Sequence, residues 1–203
     1  MSFFSTSRAQ SPVTHFNYKQ ILYSNWLLEV SWSNAEGSKT LRMVFRPGSL
    51  DGFGEEQFMA QTSNDNLVPL SEADHKLFAS LAEIYASTKI ANRDSLVQIL
   101  QTVANQKNTN FESHGGSICD RRHTWTYGHY VTKYATKYVL APIGEESSQC
   151  YGRCGAYCGF FQIYTGDCLG HDLCHRIEGS QLGVCSRQFV AAALSEGVFP
   201  SCH

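Results

Sequence analysis

The cysteines constrain this chain more than any other feature of its sequence. All eight lie between Cys119 and Cys202, and the first 118 of the 203 residues contain none. Cytosolic chains seldom concentrate cysteines without a metal or redox role, whereas exported domains commonly use them in disulfides. The start, "MSFFSTSRAQ", has neither the basic nor the apolar stretch of a signal peptide, so we expect either that a targeting segment has been removed or that export uses another route. On the cysteines alone we therefore expect a secreted or extracellular protein whose C-terminal part is held by disulfides.

Charge and hydropathy narrow the classes of partner. Charged residues make up 17% of the chain, the formal net charge is −2, and Arg121-Arg122 is the only adjacent basic pair. Without a basic stripe, we expect no nucleic-acid partner. No apolar run approaches the roughly 18 residues that a membrane-spanning helix needs, so we expect contact with membranes to be peripheral at most.

The cysteine-free part has the patterns of an α+β fold. Within residues 16–45, a stretch rich in apolar, β-branched and aromatic residues precedes the turn sequence "SNAEGS", and the alternating stretch "KTLRMVF" follows it, which predicts a β-hairpin. Ser71 and Asp74 form a capping-box pattern ahead of apolar residues at helical spacing, and a second amphipathic helix is predicted from Asn92. The polar stretch 105–117 is the best candidate boundary. We predict an α+β region over 1–110 and a disulfide-rich, mainly helical region over 111–203.

Residues 123–140, between these two parts, are dense in aromatic side chains, but their spacing fits either a strand or a helix face. Tyrosine and tryptophan suit sites with one wet and one apolar end, and Lys133 and Lys137 would favour anionic headgroups. A partly buried aromatic face under the cysteine-rich region is the simpler interpretation.

The C-terminal cysteine-rich segment favours a pair of antiparallel helices. Residues 168–178 have no internal breaker after Gly170, Gly179 is a helix stop, and 184–194 is rich in alanine. Cys174 and Cys185 would flank the connection between the two helices, so a disulfide between them would staple the pair.

The first helix of this pair carries adjacent His171 and Asp172. Neighbouring helix positions point about 100° apart, so we expect the two side chains to serve different partners rather than each other. A neutral imidazole is a general base near pH 7, and a carboxylate can hold a hard cation such as calcium. A zinc site using the nearby cysteines and His175 is disfavoured, because three cysteines spaced every fourth residue, at 150, 154 and 158, lack the usual paired spacing.

These motifs resemble those of the secreted phospholipases A2. That family carries C-x-x-H-D-x-C on its active-site helix and Y-G-x-x-C-G-x-G-G or relatives in its calcium loop. "CLGHDLC" at 168–174 matches the helix motif at its four defining positions, and "YGRCGAYCG" at 151–159 is similar to the loop, with Tyr157 where the family usually has glycine. The resemblance covers 150–176 and leaves the N-terminal part unexplained.

The resemblance implies a function and a set of site residues. His171 would activate water for attack on the sn-2 ester of a glycerophospholipid at a membrane surface. Calcium would be held by Asp172 and loop carbonyls and would stabilise the oxyanion. By the same resemblance, the site residues would be the carbonyls of Arg153, Gly155 and Tyr157 for calcium, and a Cys154–Cys168 disulfide.

The family orients its base with an aspartate from the other long helix, but no aspartate follows Asp172. If the two C-terminal helices are antiparallel, Glu196 would lie near His171, and we expect it to be the orienting carboxylate; Asp94, Asp120 or a carbonyl are the alternatives. Two other functions remain open at this point: a non-catalytic lipid- or protein-binding module, and a zinc-bound structural domain.

Overall fold

The fold is taken from a computed structural model, which describes residues 15–21, 27–34, 36–44, 58–106, 125–143, 152, 166–179, 184–186, 188 and 190. The strands are β1 (His15–Ile21), β2 (Leu27–Asn34), β3 (Gly37–Val44), β4 (Met59–Thr62), β5 (Leu67–Pro69), β6 (Trp125–Val131) and β7 (Thr136–Pro142), and the helices are α1 (Glu72–Ala86), α2 (Arg93–Asn105) and α3 (Gly166–Glu178). The α+β class predicted from the sequence is confirmed at this coarse level.

The described strands form one mixed sheet. Strands β1 to β5 are antiparallel neighbours in chain order, and β6 and β7 form a second antiparallel hairpin. Strand β7 joins the sheet by a parallel pairing with β3 at Met43 and Leu140. The hairpin predicted around "SNAEGS" is confirmed, because β2 and β3 pair with Asn34 opposite Gly37.

Both helices predicted in the cysteine-free part are confirmed. Helix α1 begins after Ser71, whose hydroxyl accepts from the Asp74 backbone N–H while the Asp74 carboxylate accepts from the Ser71 N–H. This reciprocal pairing satisfies two of the backbone donors that a helix start leaves without partners. Helix α2 buries the apolar face expected from the sequence, namely Leu96, Ile99, Leu100 and Val103.

The sheet separates two apolar clusters. The first lies under α1 and α2 and includes Leu28, Val30, Trp32 and Phe78, and the second lies under α3 and includes Leu27, Val44, Tyr130, Val139 and Leu173. Successive residues of a strand point to opposite faces, so Leu27 and Leu28 enter different clusters. The central strands are therefore covered on both faces.

The prediction of a mainly helical 111–203 region is wrong for its described part, where β6 and β7 occupy as much of the chain as α3. Trp125 packs in the cluster under α1 and α2, whereas Tyr130, on the same strand, is fully buried in the cluster under α3. The aromatic face expected under the cysteine-rich part is thus confirmed for Tyr130 but not for Trp125, which is buried on the opposite face, or for Tyr134, which is exposed in the turn of the hairpin. The domain division at about residue 110 stays a prediction, but the sheet takes strands from both sides of it.

Helix α3 ends at Glu178, and Gly179 follows in the left-handed conformation (φ 78°), as its sequence predicts. The disulfide expected between Cys174 and Cys185 is present and ties α3 to the segment after it. In that segment Ser186, Gln188 and Val190 are helical. The remainder of the predicted second helix, and with it the antiparallel arrangement, lies outside the described residues.

Candidate active site on helix α3

Two glycines allow α3 to lie close against β6. A Cβ atom added at Gly170 of α3 would lie 2.6 Å from the backbone oxygen of His129, and one added at Gly128 of β6 would lie 2.6 Å from side-chain carbons of Leu169 and Leu173. The contact at Gly170 is against backbone, which cannot rotate away as a leucine side chain can. Gly170 directly precedes His171, so this contact positions the start of the candidate site.

We expect Gly170→Ala to lower the free energy of unfolding by about 1–3 kcal/mol, because the added methyl would force α3 away from the backbone of β6. The matched control is Gly166→Ala in the same helix, where an added Cβ meets nothing within 4 Å. Urea denaturation of the two variants measures the difference. Equal stability of both variants would show that α3 does not need this close approach.

The C-terminal end of α3 is attached to the β6–β7 hairpin by a polar cluster. The Glu178 carboxylate accepts from the Tyr130 hydroxyl at 2.8 Å and from the Lys137 ammonium at 2.6 Å. Burial favours a raised pKa for Glu178, but hydrogen bonds from Lys137 and Tyr130 outweigh it, so the pKa of this carboxyl is lowered. The glycine contacts and this cluster together hold α3 on the sheet.

His171 and Asp172 lie on the same helix turn, and both are partly buried, with side chains 29% and 24% exposed. The Nδ1 atom of His171 is 3.4 Å from Oδ1 of Asp172. The expectation that these two side chains would not contact each other is therefore wrong. Although adjacent helix positions diverge by about 100°, the polar ends of the two side chains make a long hydrogen bond.

The second oxygen of Asp172 accepts a hydrogen bond of 3.0 Å from the backbone N–H of Gly152. Gly152 is buried and has φ 79°, a left-handed conformation that glycine adopts without steric cost. Burial raises the pKa of Asp172, and the hydrogen bonds from His171 and Gly152 only partly oppose that rise. Burial of the Asp172 side chain therefore disfavours the ionised form of its carboxyl group.

Part of the predicted site lies outside the described residues: Glu196, Arg153, Gly155, Tyr157 and Cys154. Their roles stay predictions. Cys168 is disulfide-bonded, and its partner also lies outside the described residues, since Cys174 and Cys185 bond each other. The Cys154–Cys168 pairing is accordingly neither confirmed nor contradicted.

The disulfides remove the thiolate ligands on which the zinc alternative depended. Cys168 and Cys174 are both oxidised, so neither is available as a zinc thiolate. Within the described ranges, no group of three or more His, Cys, Asp or Glu side chains is arranged to hold a metal ion. The carboxylate of Asp172 is nevertheless the hard oxygen donor that calcium prefers, so the chemistry of this residue fits that ion.

Two residues of this site were missed by reasoning from the sequence. Gly170 was predicted only to be the last glycine within the helix over 168–178, and its contact with β6 depends on tertiary packing. Gly152 had a usable signal, because it belongs to the "YGRCG" stretch that resembles the calcium loop.

No helix in the described ranges is long and apolar enough to cross a membrane. In comparisons with protein-family models, with curated proteins and with solved structures, none matches this chain.

Proposed function

We propose that the chain is a calcium-dependent, phospholipase A2-like hydrolase that acts at phospholipid surfaces outside the cell. The observation that carries the proposal is the hydrogen bond from the Gly152 N–H to the Asp172 carboxylate. It joins residues 20 positions apart, one from each of the two segments that resemble the family. A His-Asp pair that occurred by chance on a surface helix would not be expected to contact the glycine-containing loop segment.

The contact also suits the coordination that calcium requires. Calcium takes six to eight oxygen ligands, usually carboxylates and backbone carbonyls from a short loop. Gly152 directly precedes Arg153, so a loop that starts beside Asp172 would present the carbonyls of Arg153, Gly155 and Tyr157 near the same carboxylate. Two disulfide-bonded cysteines on α3, Cys168 and Cys174, favour an oxidising compartment.

Burial of Asp172 supports the same proposal. An ionised carboxylate with a raised pKa is disfavoured in the metal-free protein, and a bound cation would remove that cost. Calcium, when bound, supplies Lewis-acid stabilisation of the developing oxyanion. The side chains of the protein would then position the ester and transfer the proton from the attacking water.

In the proposed reaction, His171 takes a proton from water while the water oxygen bonds to the sn-2 carbonyl carbon. The tetrahedral intermediate then collapses, the bond to the glycerol oxygen breaks, and His171 returns the proton to that oxygen. The products are a free fatty acid and a lysophospholipid. A base of this kind needs a further group to fix its tautomer, and Oδ1 of Asp172, which faces Nδ1 of His171, can supply it. The role predicted for Glu196 stays a prediction.

The direct test is hydrolysis of mixed phospholipid vesicles by the full chain, with calcium and with a calcium chelator. We expect fatty acid from the sn-2 position only when calcium is present, identified by mass spectrometry with different acyl chains at sn-1 and sn-2. Binding to the vesicles with no hydrolysis under either condition would instead support the non-catalytic module.

Asp172→Asn separates a metal-binding role from a structural one. Asparagine can still accept the Gly152 N–H through its oxygen, but it removes the buried negative charge. Because the pKa of Asp172 is raised in the folded protein, its ionisation at neutral pH opposes folding. We therefore expect calcium-dependent hydrolysis to be lost while the calcium-free protein keeps or gains thermal stability.

The matched control is Asp167→Asn, which changes an exposed carboxylate in the first turn of the same helix. This variant should keep calcium-dependent hydrolysis and the stabilisation that calcium gives in thermal denaturation. If Asp172→Asn also keeps that stabilisation, Asp172 is not a calcium ligand and the proposal fails.

A further inference from the structure

A second histidine accompanies His171 on the exposed surface of α3. His175 follows four residues later, and the two ring centres are 6.0 Å apart with an interplanar angle of 33°. Residues four apart on a helix lie on the same face, about one turn from each other. His175 is exposed, and His171 is 29% exposed, so solvent reaches both rings.

This spacing is that of a bidentate imidazole site for a transition-metal ion. Histidines at i and i+4 of a helix supply two of the ligands in several zinc sites, and H-x3-H is a recognised half-site. In a tetrahedral site with metal–nitrogen bonds of about 2.0–2.1 Å, the two nitrogens lie about 3.3 Å apart. Ring centres 6.0 Å apart are compatible with that separation when the edges of both rings turn toward one ion.

The surroundings of His171 favour metal binding through its Nε2 atom. Its Nδ1 atom faces Oδ1 of Asp172, and a carboxylate beside one ring nitrogen is a common arrangement for a histidine that binds metal through the other. The carboxylate also makes the local potential favourable for a cation. Because Cys168 and Cys174 are in disulfides, the metal would be bound by imidazole and water rather than by thiolate.

We propose that His171 and His175 chelate a divalent transition-metal ion of the zinc and copper class, and that this ion inhibits the hydrolase. The inhibition rests on the proposed function, but the binding does not. An ion on Nε2, with the Nδ1 proton directed at Asp172, leaves the His171 ring without a lone pair to accept a proton from water. His175 thus makes the catalytic base sensitive to metal.

The chemistry of the ligands predicts which ions bind. Imidazole pairs prefer copper over zinc, in the Irving–Williams order, and bind calcium and magnesium poorly because those hard ions prefer oxygen. Calcium at Asp172 and a transition metal at the two imidazoles therefore use different ligand types. We expect inhibition by zinc to persist when calcium is saturating.

Binding is tested first, without any substrate, by isothermal titration of the full chain with Zn²⁺ and with Cu²⁺ in a chelator-free buffer. We expect His175→Ala to lower the affinity for both ions at least about tenfold, which is equivalent to about 1.4 kcal/mol of binding free energy. The control is His129→Ala, which removes an exposed histidine from β6 and should leave the affinity unchanged. An unchanged affinity in His175→Ala would overturn the proposal even if the chain hydrolyses lipid.

Hydrolysis supplies the second readout. We expect Zn²⁺ to inhibit the unmodified chain at saturating calcium, and His175→Ala to keep its calcium-dependent rate but lose most of that inhibition. If zinc inhibits both proteins equally, it acts through the calcium ligands and the inhibitory role is refuted. If no hydrolysis occurs at all, the proposed function fails, while the titration still decides whether the two histidines bind metal.

Discussion

Replacing His171 with glutamine is expected to lower the rate of calcium-dependent phospholipid hydrolysis by about 10²–10⁴-fold, the range usually lost with a general base. Glutamine is similar in length and its amide N–H can still face Oδ1 of Asp172, which lies 3.4 Å from the imidazole. It has no group that can take a proton from water near neutral pH. The loss should therefore appear in kcat, measured by fatty-acid release from vesicles.

His175→Gln is the matched control, because it makes the same chemical change one helix turn away. We expect it to retain hydrolysis within a few-fold and to bind calcium as the unmodified chain does. Thermal denaturation of both variants shows whether any loss is due to unfolding. Comparable activity in His171→Gln and His175→Gln would eliminate His171 as the base.

Replacing Asp74 with alanine is expected to lower the free energy of unfolding by about 3–5 kcal/mol, the usual cost of removing one partner from a buried ion pair. Asp74 is 1% exposed and Lys39 is 5% exposed, and the two form an ion pair of 2.8 Å between α1 and β3. Asp74 also accepts from the Trp32 indole N–H and caps α1 through Ser71. Its removal would leave Lys39 with only the ammonium–carboxylate bond to Glu36 at the surface.

The matched control is Glu72→Ala, in the same helix turn. Glu72 pairs with Lys76 at 2.6 Å, but both side chains are exposed, so screening makes the pair weak and we expect little change in stability. The double change Asp74→Ala with Lys39→Met should recover part of the loss, because it removes the unpaired charge. Chemical denaturation of all three variants provides the measurement, and equal losses for Asp74→Ala and Glu72→Ala would contradict the buried-pair interpretation.

The same pair predicts how stability depends on pH. Burial opposes the charge of Asp74, but hydrogen bonds from Lys39, Ser71 and Trp32 lower its pKa below the ordinary 3.8, so its contribution is lost as pH falls through that lowered pKa. Burial likewise opposes the charge of Lys39, but its bonds to Asp74 and Glu36 raise its pKa above 10.5. That contribution is lost only as pH rises through the raised pKa. The difference between the unmodified chain and Asp74→Ala should thus be largest between these limits and shrink in acid.

Local patterns were sufficient for the elements whose sequence signals are local. The capping box at Ser71 and Asp74, the apolar face of α2 and the turn between β2 and β3 are each determined within a few residues. Helix α3 and its end at Gly179 were likewise predicted from local sequence signals. The disulfide between Cys174 and Cys185 was predicted because it spans a short connection between two expected helices.

Strands β6 and β7 were not predicted because each has a stretch that is buried on both faces. Alternation of apolar and polar residues marks a strand only when one face meets water. Here Trp125 and Tyr127 face the cluster under α1 and α2, while Gly128 and Tyr130 face α3, so apolar character continues along the strand. The spacing of these aromatics fits a helix equally well.

The second role of Asp74 and the close approach at Gly170 were also beyond prediction. Each depends on a partner far away in sequence: Lys39 and Trp32 for Asp74, and the His129 backbone for Gly170. The contact between His171 and Asp172 was not predicted because backbone directions diverge at adjacent helix positions, and the side-chain conformations that decide such a contact cannot be read from the sequence. For the candidate site, the sequence identified the chemistry-bearing pair but not what holds it in place.

The parallel pairing of β7 with β3 has a consequence for how the chain folds. Met43 and Leu140 are distant in sequence, and closing such a long loop costs conformational entropy before the contact returns any energy. Folds rich in contacts of this kind reach the native state slowly, and their unpaired strand edges stay exposed meanwhile. A copy of this chain interrupted between the two strands would leave the Met43 end of β3 as an open edge, where strands from other copies could add.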